Sequence, residues 1–251
     1  MKDLDKILNT FHPILLNQMD DVRLMERIDT KFAFHINELE TILQELSGFY
    51  NILEVNGKRI SHYQSLYFDN EKFQFYNDHH NRKNHRFKVR YRKYVDSELY
   101  FLEVKEKRKG RTLKKRIPVK NFNNELIGRS KTFVENTIND REKLEPKLWN
   151  QYQRITLVHK KQKERLTLDI NLKFEWKNEA KIYPDIVIAE LKQLKRNRRS
   201  PFYKLMKKRL HRPHRISKYC IGMINLYSNK KIKYNRFKRK LRKLKIIAND
   251  S

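Results

Sequence analysis

His85–Val95 alternates cationic and apolar side chains with a period of two. Arg86, Lys88, Arg90 and Arg92 share one face; Phe87, Val89 and Tyr91 share the other. That period belongs to an extended strand, because successive side chains point to opposite faces. Four stacked cations repel one another unless an anion lies across them. The pattern recurs along the chain. Glu103, Lys105 and Lys107 oppose Leu102 and Val104, and Thr112, Lys114 and Arg116 oppose Leu113 and Ile117. Arg165, Thr167 and Asp169 oppose Leu166 and Leu168; Glu190 and Lys192 oppose Ala189 and Leu191. Lys31 falls on a face with Arg27 and Asp29, and Arg154 lies on a similar strand. Such strands build either an antiparallel sheet wet on one side or a barrel with a cationic interior. Alternation does not say which face is inside.

Leu4, Ile7, Leu8, Phe11 and Leu15 follow helical spacing over residues 4–18. A strand over Val22–His35 and a short helix capped by Asn37 and ending at Leu46 come next. Asn56-Gly57 predicts a hairpin turn between residues 51–55 and 58–68. Asn70 opens a helical stretch with Phe73 and Tyr76. Strands are expected over His85–Val95, Glu98–Lys107 and Arg111–Val119, then helix over 123–150. Strands resume over Gln151–Lys160, Glu164–Phe174 and Ile186–Gln193. Ser200-Pro201 and Ser217 start two further helices, the second running to Tyr227. The class is α+β, with neighbouring strands paired antiparallel and helices inserted between them.

The chain has 251 residues, with 59 Lys and Arg against 29 Asp and Glu, a net charge of +30. That excess points to a polyanionic partner. Its five glycines form no G-x-G-x-x-G, and no Gly-Lys-Ser/Thr occurs. A P-loop and a dinucleotide fingerprint are therefore excluded, and side chains must hold any phosphate. One cysteine, Cys220, suits a reducing compartment. The longest uncharged apolar stretch, Tyr219–Tyr227, is too short to span a bilayer. These features lead us to expect a cytoplasmic protein. Residues 229–245 place Tyr234, Phe237, Leu241 and Leu244 at helical spacing among dense Lys and Arg. They could lie on an anionic membrane or membrane partner at its inner face, dock on the fold, or stay solvated. Trp149 and Trp176 are read as packing residues, and the histidines lack zinc-site spacing.

Nine strings occur in order: M-E-R-I-D-T-K-F-A-F; S-L-Y-F-D-N followed by F-x-x-Y; K-V-R-Y-R-K-Y; F-L-E-V-K; T-L-K-K-R; Y-Q-R; R-L-T-L-D; I-A-E-L-K; and S-K-Y. Together they resemble the VTC domain, the polyphosphate polymerase domain of the vacuolar transporter chaperone family, over about residues 20–227. That family belongs to the triphosphate tunnel metalloenzymes. The resemblance implies an antiparallel β-barrel, a triphosphate tunnel, with flanking helices. It divides the chain into a tunnel domain over 1–228 and a basic amphipathic tail over 229–251.

The resemblance implies phosphate contacts at Lys31, Arg90, Arg92, Lys105, Lys114, Arg154, Arg165, Arg215 and Lys218, with Lys218 matching the lysine near the transferred phosphate. Lys88 and Arg116 share the same charged faces. Glu190 matches the family's metal-binding glutamate, for Mn²⁺ or Mg²⁺. Glu103, Asp169 and Tyr67-Phe68-Asp69 match patterned positions, with structural and catalytic roles both open. The expected partners are ATP and inorganic polyphosphate, the γ-phosphate passing to the growing chain. Hydrolytic tunnel enzymes carry E-x-E-x-K on the first strand; here Arg27-Ile28-Asp29-Thr30-Lys31 loses one acid. A triphosphatase is the enzymatic alternative. A non-catalytic nucleic-acid module is the other, disfavoured because the cations are spread over several strands. Removing one of many crowded cations is expected to leave the empty fold intact.

Overall fold

A computed structural model describes residues 3–22, 28–109, 111–227 and 232–249. The chain opens with α1 (Leu4–Asn9), β1 (Pro13–Ile14), β2 (Ile28–His35), α2 (Leu39–Leu46), β3 (Tyr50–Leu53), β4 (Ile60–Asp69) and α3 (Gln74–His80). The meander β5 (Arg86–Tyr94), β6 (Leu99–Arg108) and β7 (Arg111–Val119) follows, then α4 (Gly128–Ile138). The longest strands, β8 (Glu145–His159) and β9 (Glu164–Trp176), precede β10 (Glu179–Tyr183) and β11 (Ile186–Gln193). Three helices close the chain: α5 (Pro201–Lys208), α6 (Lys218–Tyr227) and α7 (Lys238–Asn249).

The main sheet runs β2-β11-β9-β8-β4-β5-β6-β7, with every neighbouring pair antiparallel. It curls until Lys31 of β2 and Lys105 of β6 feel each other's charge. Among the described residues no ladder joins β2 to β7, so the expected barrel is curled and not closed.

Several local expectations change. Residues 145–150, expected as helix, belong to β8, because Leu148 and Asn150 take inward positions opposite β4 and β9. Asn56 and Gly57 do turn, with φ of 51° and 74° and a Val55–Lys58 bridge, but pairing stops there. β3 and β4 both pair with β8, at Ile52–Leu157 and Ile60–Ile155, so the turn is a corner rather than a hairpin. The first helix ends at Asn9. Asn37 caps nothing; its own N–H donates to His35 Nδ1 at 3.2 Å. Ser200 and Ser217 do cap, accepting from the N–H groups of Tyr203 at 3.3 Å and Cys220 at 3.2 Å. Residues 23–27, including Arg27, and Gly110 lie outside the described residues.

The convex face carries two apolar clusters. Phe32, Phe34, Leu166, Leu168, Val187 and Leu191 pack against α1, α2 and α5. Leu66, Val89, Tyr91, Leu102 and Val104 pack against Val134 and Ile138 of α4. The concave face is divided. On β11 its positions change from Ile186 and Ile188 to Glu190 and Lys192; on β8, from Leu148 to Tyr152 and Arg154. The apolar half receives α6, whose Tyr219, Cys220, Met223 and Ile224 pack on Leu148, Phe174 and Ile188. A Cβ on Gly222 would lie 2.6 Å from Phe174 Cδ1, so glycine permits this approach. The charged half remains a channel.

Of the placements open to the tail, its described part docks on the fold. Ile232, Phe237, Leu244 and Ile247 are buried in the α6 cluster. Tyr76 Oη donates to Lys233 O at 2.8 Å, and His80 Nε2 lies 2.7 Å from Asn235 Oδ1. Among the described residues no helix is long and apolar enough to cross a membrane.

Candidate functional site

Strand register builds the channel wall. Lys88 pairs with Lys105 and Arg90 with Glu103 across β5 and β6, and these oppose Lys114 and Arg116 of β7. On the other side Lys31, Glu190 and Thr167 form one row across β2, β11 and β9. Arg154 pairs with Asp169 across β8 and β9. With Arg165 of β9 and Lys192 of β11, the alternation in sequence thus becomes a concave surface with cations on seven strands.

Three carboxylates organise those cations. Arg90 donates to Glu103 Oε2 through Nε at 2.9 Å and Nη2 at 2.7 Å, and Lys114 also contacts Glu103. Burial raises the Glu103 pKa, but the charges of Arg90, Arg92 and Lys114 win and hold it well below the usual range. Arg154 Nη2 donates to Asp169 Oδ2 at 2.8 Å, and Lys218 Nζ donates to the same oxygen. Against burial, those two cations hold Asp169 well below its ordinary range. Glu190 lies 3.2 Å from Lys192 and 3.8 Å from Lys31. With Lys105 they depress it despite burial.

Hydroxyls and rings complete the wall. Arg92, 7% exposed, donates to Ser65 Oγ at 3.2 Å and Tyr152 Oη at 2.9 Å. Arg90 Nη1 donates to Tyr67 Oη at 2.8 Å. Tyr63 and Tyr152 stack at 5.2 Å, with the Arg154 guanidinium 5.0 Å from the Tyr63 ring centre. Burial pulls the Lys105 ammonium down to about 8, with Lys31 adding to the shift.

α6 delivers the remaining cation. Its N-terminus enters the channel, bringing Lys218 to Asp169 and to 4.5 Å from the Tyr152 ring centre. Lys88 Nζ donates to Ser217 Oγ at 3.0 Å, and Lys31 Nζ to Ile216 O at 3.3 Å. Asp69, buried, anchors this arrangement from behind. It accepts from the backbone N–H groups of Asn70, Phe75 and Tyr76, each at 2.9 Å, and from Tyr219 Oη. Its role is structural.

The structure brings Lys31, Lys88, Arg90, Arg92, Lys105, Lys114, Arg154, Lys218 and Glu190 onto the channel, and Arg165 lies next to them, opposite Lys192. Arg116 is exposed at one rim, 4.4 Å from the Phe101 ring centre, and Arg215 is exposed at the other. Sequence reasoning missed Tyr63 and Tyr152; the signal was present, since both continue the parity of charged positions on their strands. Trp149 packs on Phe122 at 4.8 Å, and Cys220 is buried, as expected.

The donor set also bears on a metal. Among the described residues no three His, Cys, Asp or Glu side chains cluster to hold an ion. Glu190 and Asp29 lie diagonally across β11 and β2, and Asp29 is near enough to influence the Glu190 carboxyl, so the two form a carboxylate pair. That pair fits a divalent cation completed by phosphate oxygens and water, and not a permanently caged structural ion.

The VTC domain family model matches residues 26–227. No curated protein matches the sequence significantly. Solved structures do match in fold. The Hippeastrum protein HpAC1, a candidate adenylyl cyclase with a dominant triphosphatase activity, is 12% identical, covering 83% of this chain and 99% of that one at a TM-score of 0.54. A candidate adenylate cyclase from Bacillus halodurans is 10% identical over 85% and 96%, with a TM-score of 0.45. One from Vibrio parahaemolyticus is 10% identical over 78% and 99%, at 0.47. At such identities the likeness is one of fold.

Proposed function

We propose, from the premise that this chain belongs to the VTC domain family, that it transfers the γ-phosphate of ATP onto a growing inorganic polyphosphate chain inside the channel. One observation carries the choice of transfer over hydrolysis. Among the channel carboxylates, Glu103, Asp169 and Glu190 are each ion-paired with cations that hold them ionised, so none of the three is a strong proton acceptor. The near-neutral Lys192 beside Glu190 is the group that would have to serve as a base instead. Water needs a base to attack a phosphate; the end of a polyphosphate is already an oxyanion and needs none.

The remaining work is positioning and neutralisation. Arg90, Arg92 and Arg154, each held from behind by its protein partners, offer their remaining guanidinium N–H groups to phosphate oxygens, while Lys31, Lys88, Lys105 and Lys114 act as point charges. Lys218, beside Asp169 on α6, would neutralise the phosphate in transfer. Tyr63 and Tyr152 back Arg92 and Arg154 with ring faces, and Tyr67 backs Arg90. Glu190 with Asp29 would hold Mn²⁺ or Mg²⁺, which would supply positive charge to neutralise the phosphates. Membrane contact through the tail would use its basic side, because the apolar side is packed on the fold.

Purified protein incubated with ATP and Mn²⁺ or Mg²⁺ tests the proposal. Gel staining for polyphosphate should show polymer with little free phosphate. Metal-dependent loss of ATP that yields orthophosphate alone would assign a triphosphatase instead.

A further inference from the structure

Inside the channel every carboxylate is answered by cations; at one end the cations stand unanswered. Arg86 and Lys107 are register partners where β5 begins and β6 ends. Arg82 follows α3, Arg215 precedes α6, and Lys240 lies on α7. Among the described residues none of the five has a carboxylate partner within ion-pair distance. Nearby acids are engaged elsewhere: Asp78 with Lys83 at 2.8 Å and Glu106 with His85 at 2.8 Å. Arg86 Nε is buried with no hydrogen-bond partner.

Tail docking is what places Lys240 there. Phe237 stacks on Tyr76 and lies 6.0 Å from His80, ring centre to ring centre, fixing the start of α7 against α3. Lys240 Nζ then sits 4.7 Å from the Phe237 ring centre. Burial lowers the proton affinity of Lys240, which also feels Arg82 and Arg215; Lys107 is lowered likewise and feels Arg86 and Arg215. The five side chains therefore share one field. Two residues inward along the same strand faces, Arg86 leads to Lys88 and Lys107 to Lys105, so this rim is continuous with the channel.

We propose that Arg82, Arg86, Lys107, Arg215 and Lys240 form an outer collar that binds linear polyphosphate beyond the phosphates held in the channel. The ligand class rests on the polyphosphate reading above. A narrow, flexible polyanion can pass from the Lys88–Lys105 pair to the collar along continuous strand faces. Uncompensated repulsion among the five cations is relieved only when such a chain is present, which favours long chains over short ones.

The test is equilibrium binding of the full chain to tripolyphosphate, long-chain polyphosphate and duplex DNA at fixed salt. Wild type should bind the long chain more tightly than tripolyphosphate. The double variant Arg82→Gln/Lys240→Gln alters exposed or half-exposed side chains outside the channel, and thermal melting checks that it stays folded. It should lose about tenfold or more in long-chain affinity, keep its tripolyphosphate affinity, and show a shallower salt dependence. Equal loss for both polyphosphates, or no loss for either, overturns the collar. A long-chain affinity no greater than that for tripolyphosphate in wild type does the same. Duplex binding as tight as long-chain binding, lost by the same factor, would make the rim a general basic patch. If ATP yields no polymer while the collar-dependent increment persists, the transfer reading falls and the collar stands.

Discussion

Arg90 and Arg92 sit two residues apart on one strand face, yet their removal should differ. Glu103 is 2% exposed and takes two hydrogen bonds from Arg90, so Arg90→Ala leaves a buried carboxylate with Lys114 as its remaining close partner. A stability loss of about 3 kcal/mol is expected, alongside a fall in polymer synthesis of more than about tenfold. Arg92 is held by neutral Ser65 and Tyr152, so Arg92→Ala should lose similar activity and clearly less stability. Denaturant unfolding of both variants checks the difference. The Arg90–Glu103 pairing argues against the expectation that one of the crowded cations is removable without cost to the fold: sequence shows that cations outnumber acids, but not which acid meets which cation. Glu190→Gln removes the charge balancing Lys31 and Lys192. Metal-free tripolyphosphate affinity should hold or rise while transfer falls more than about tenfold, read by calorimetry and polymer gels. A Gln variant with unaltered metal dependence would move the metal away from Glu190. Lys105, with its ammonium pulled down to about 8, makes binding pH-dependent. A bound polyanion favours the charged form, so tripolyphosphate binding near pH 8 should take up protons, and its affinity should fall as pH rises through that value. In the empty protein the sign reverses: from about 8 up to the ordinary 10.5 the unfolded chain binds the proton that the native one lacks, so stability gains with pH. Calorimetry in buffers of different ionisation enthalpy measures the uptake, and Lys105→Met should reduce it.

Among elements, α6 matters most to the site and was half legible. Ser217 as its cap and Tyr227 as its end could be read from sequence, because capping chemistry is local. Its location inside the curled sheet could not be read, because that depends on Leu148, Phe174 and Ile188 turning apolar on three different strands. Residues 145–150 were misread for a related reason: only pairing with β4 and β9 reveals them as strand. The meander β5-β6-β7 was legible because each strand repeats the period-two code between tight turns. Gly222→Ala tests the seat of α6. An added methyl meets Phe174 at 2.6 Å and Leu148 at 3.0 Å, and Phe174 is fully buried. Destabilisation of about 1–3 kcal/mol is expected, with a larger fractional loss of transfer than of tripolyphosphate binding, since Lys218 moves with the helix. A stability loss with normal transfer would show that α6 reseats without shifting its N-terminus.

For the whole molecule, the tail was the least legible part, because a basic amphipathic helix suits a membrane and a protein surface equally. Phe237, Leu244 and Ile247 are 7%, 4% and 7% exposed, so truncation before residue 232 removes packing from the α6 cluster. The melting temperature should fall by more than about 5 °C. An unchanged melting temperature would mean that the tail does not dock. The concave charged surface was legible as alternation, and its curvature was not; among the described residues the sheet order ends on two edge strands, β2 and β7. That seam changes the topology of access. A closed ring admits a polymer only end first, like thread through a needle. Among the described residues no ladder hydrogen bond closes β2 on β7, so on the proposed transfer function a strand of polyphosphate is expected to be laid in sideways, as into a zipper left undone. A chain blocked at both ends is then expected to compete with an unblocked one.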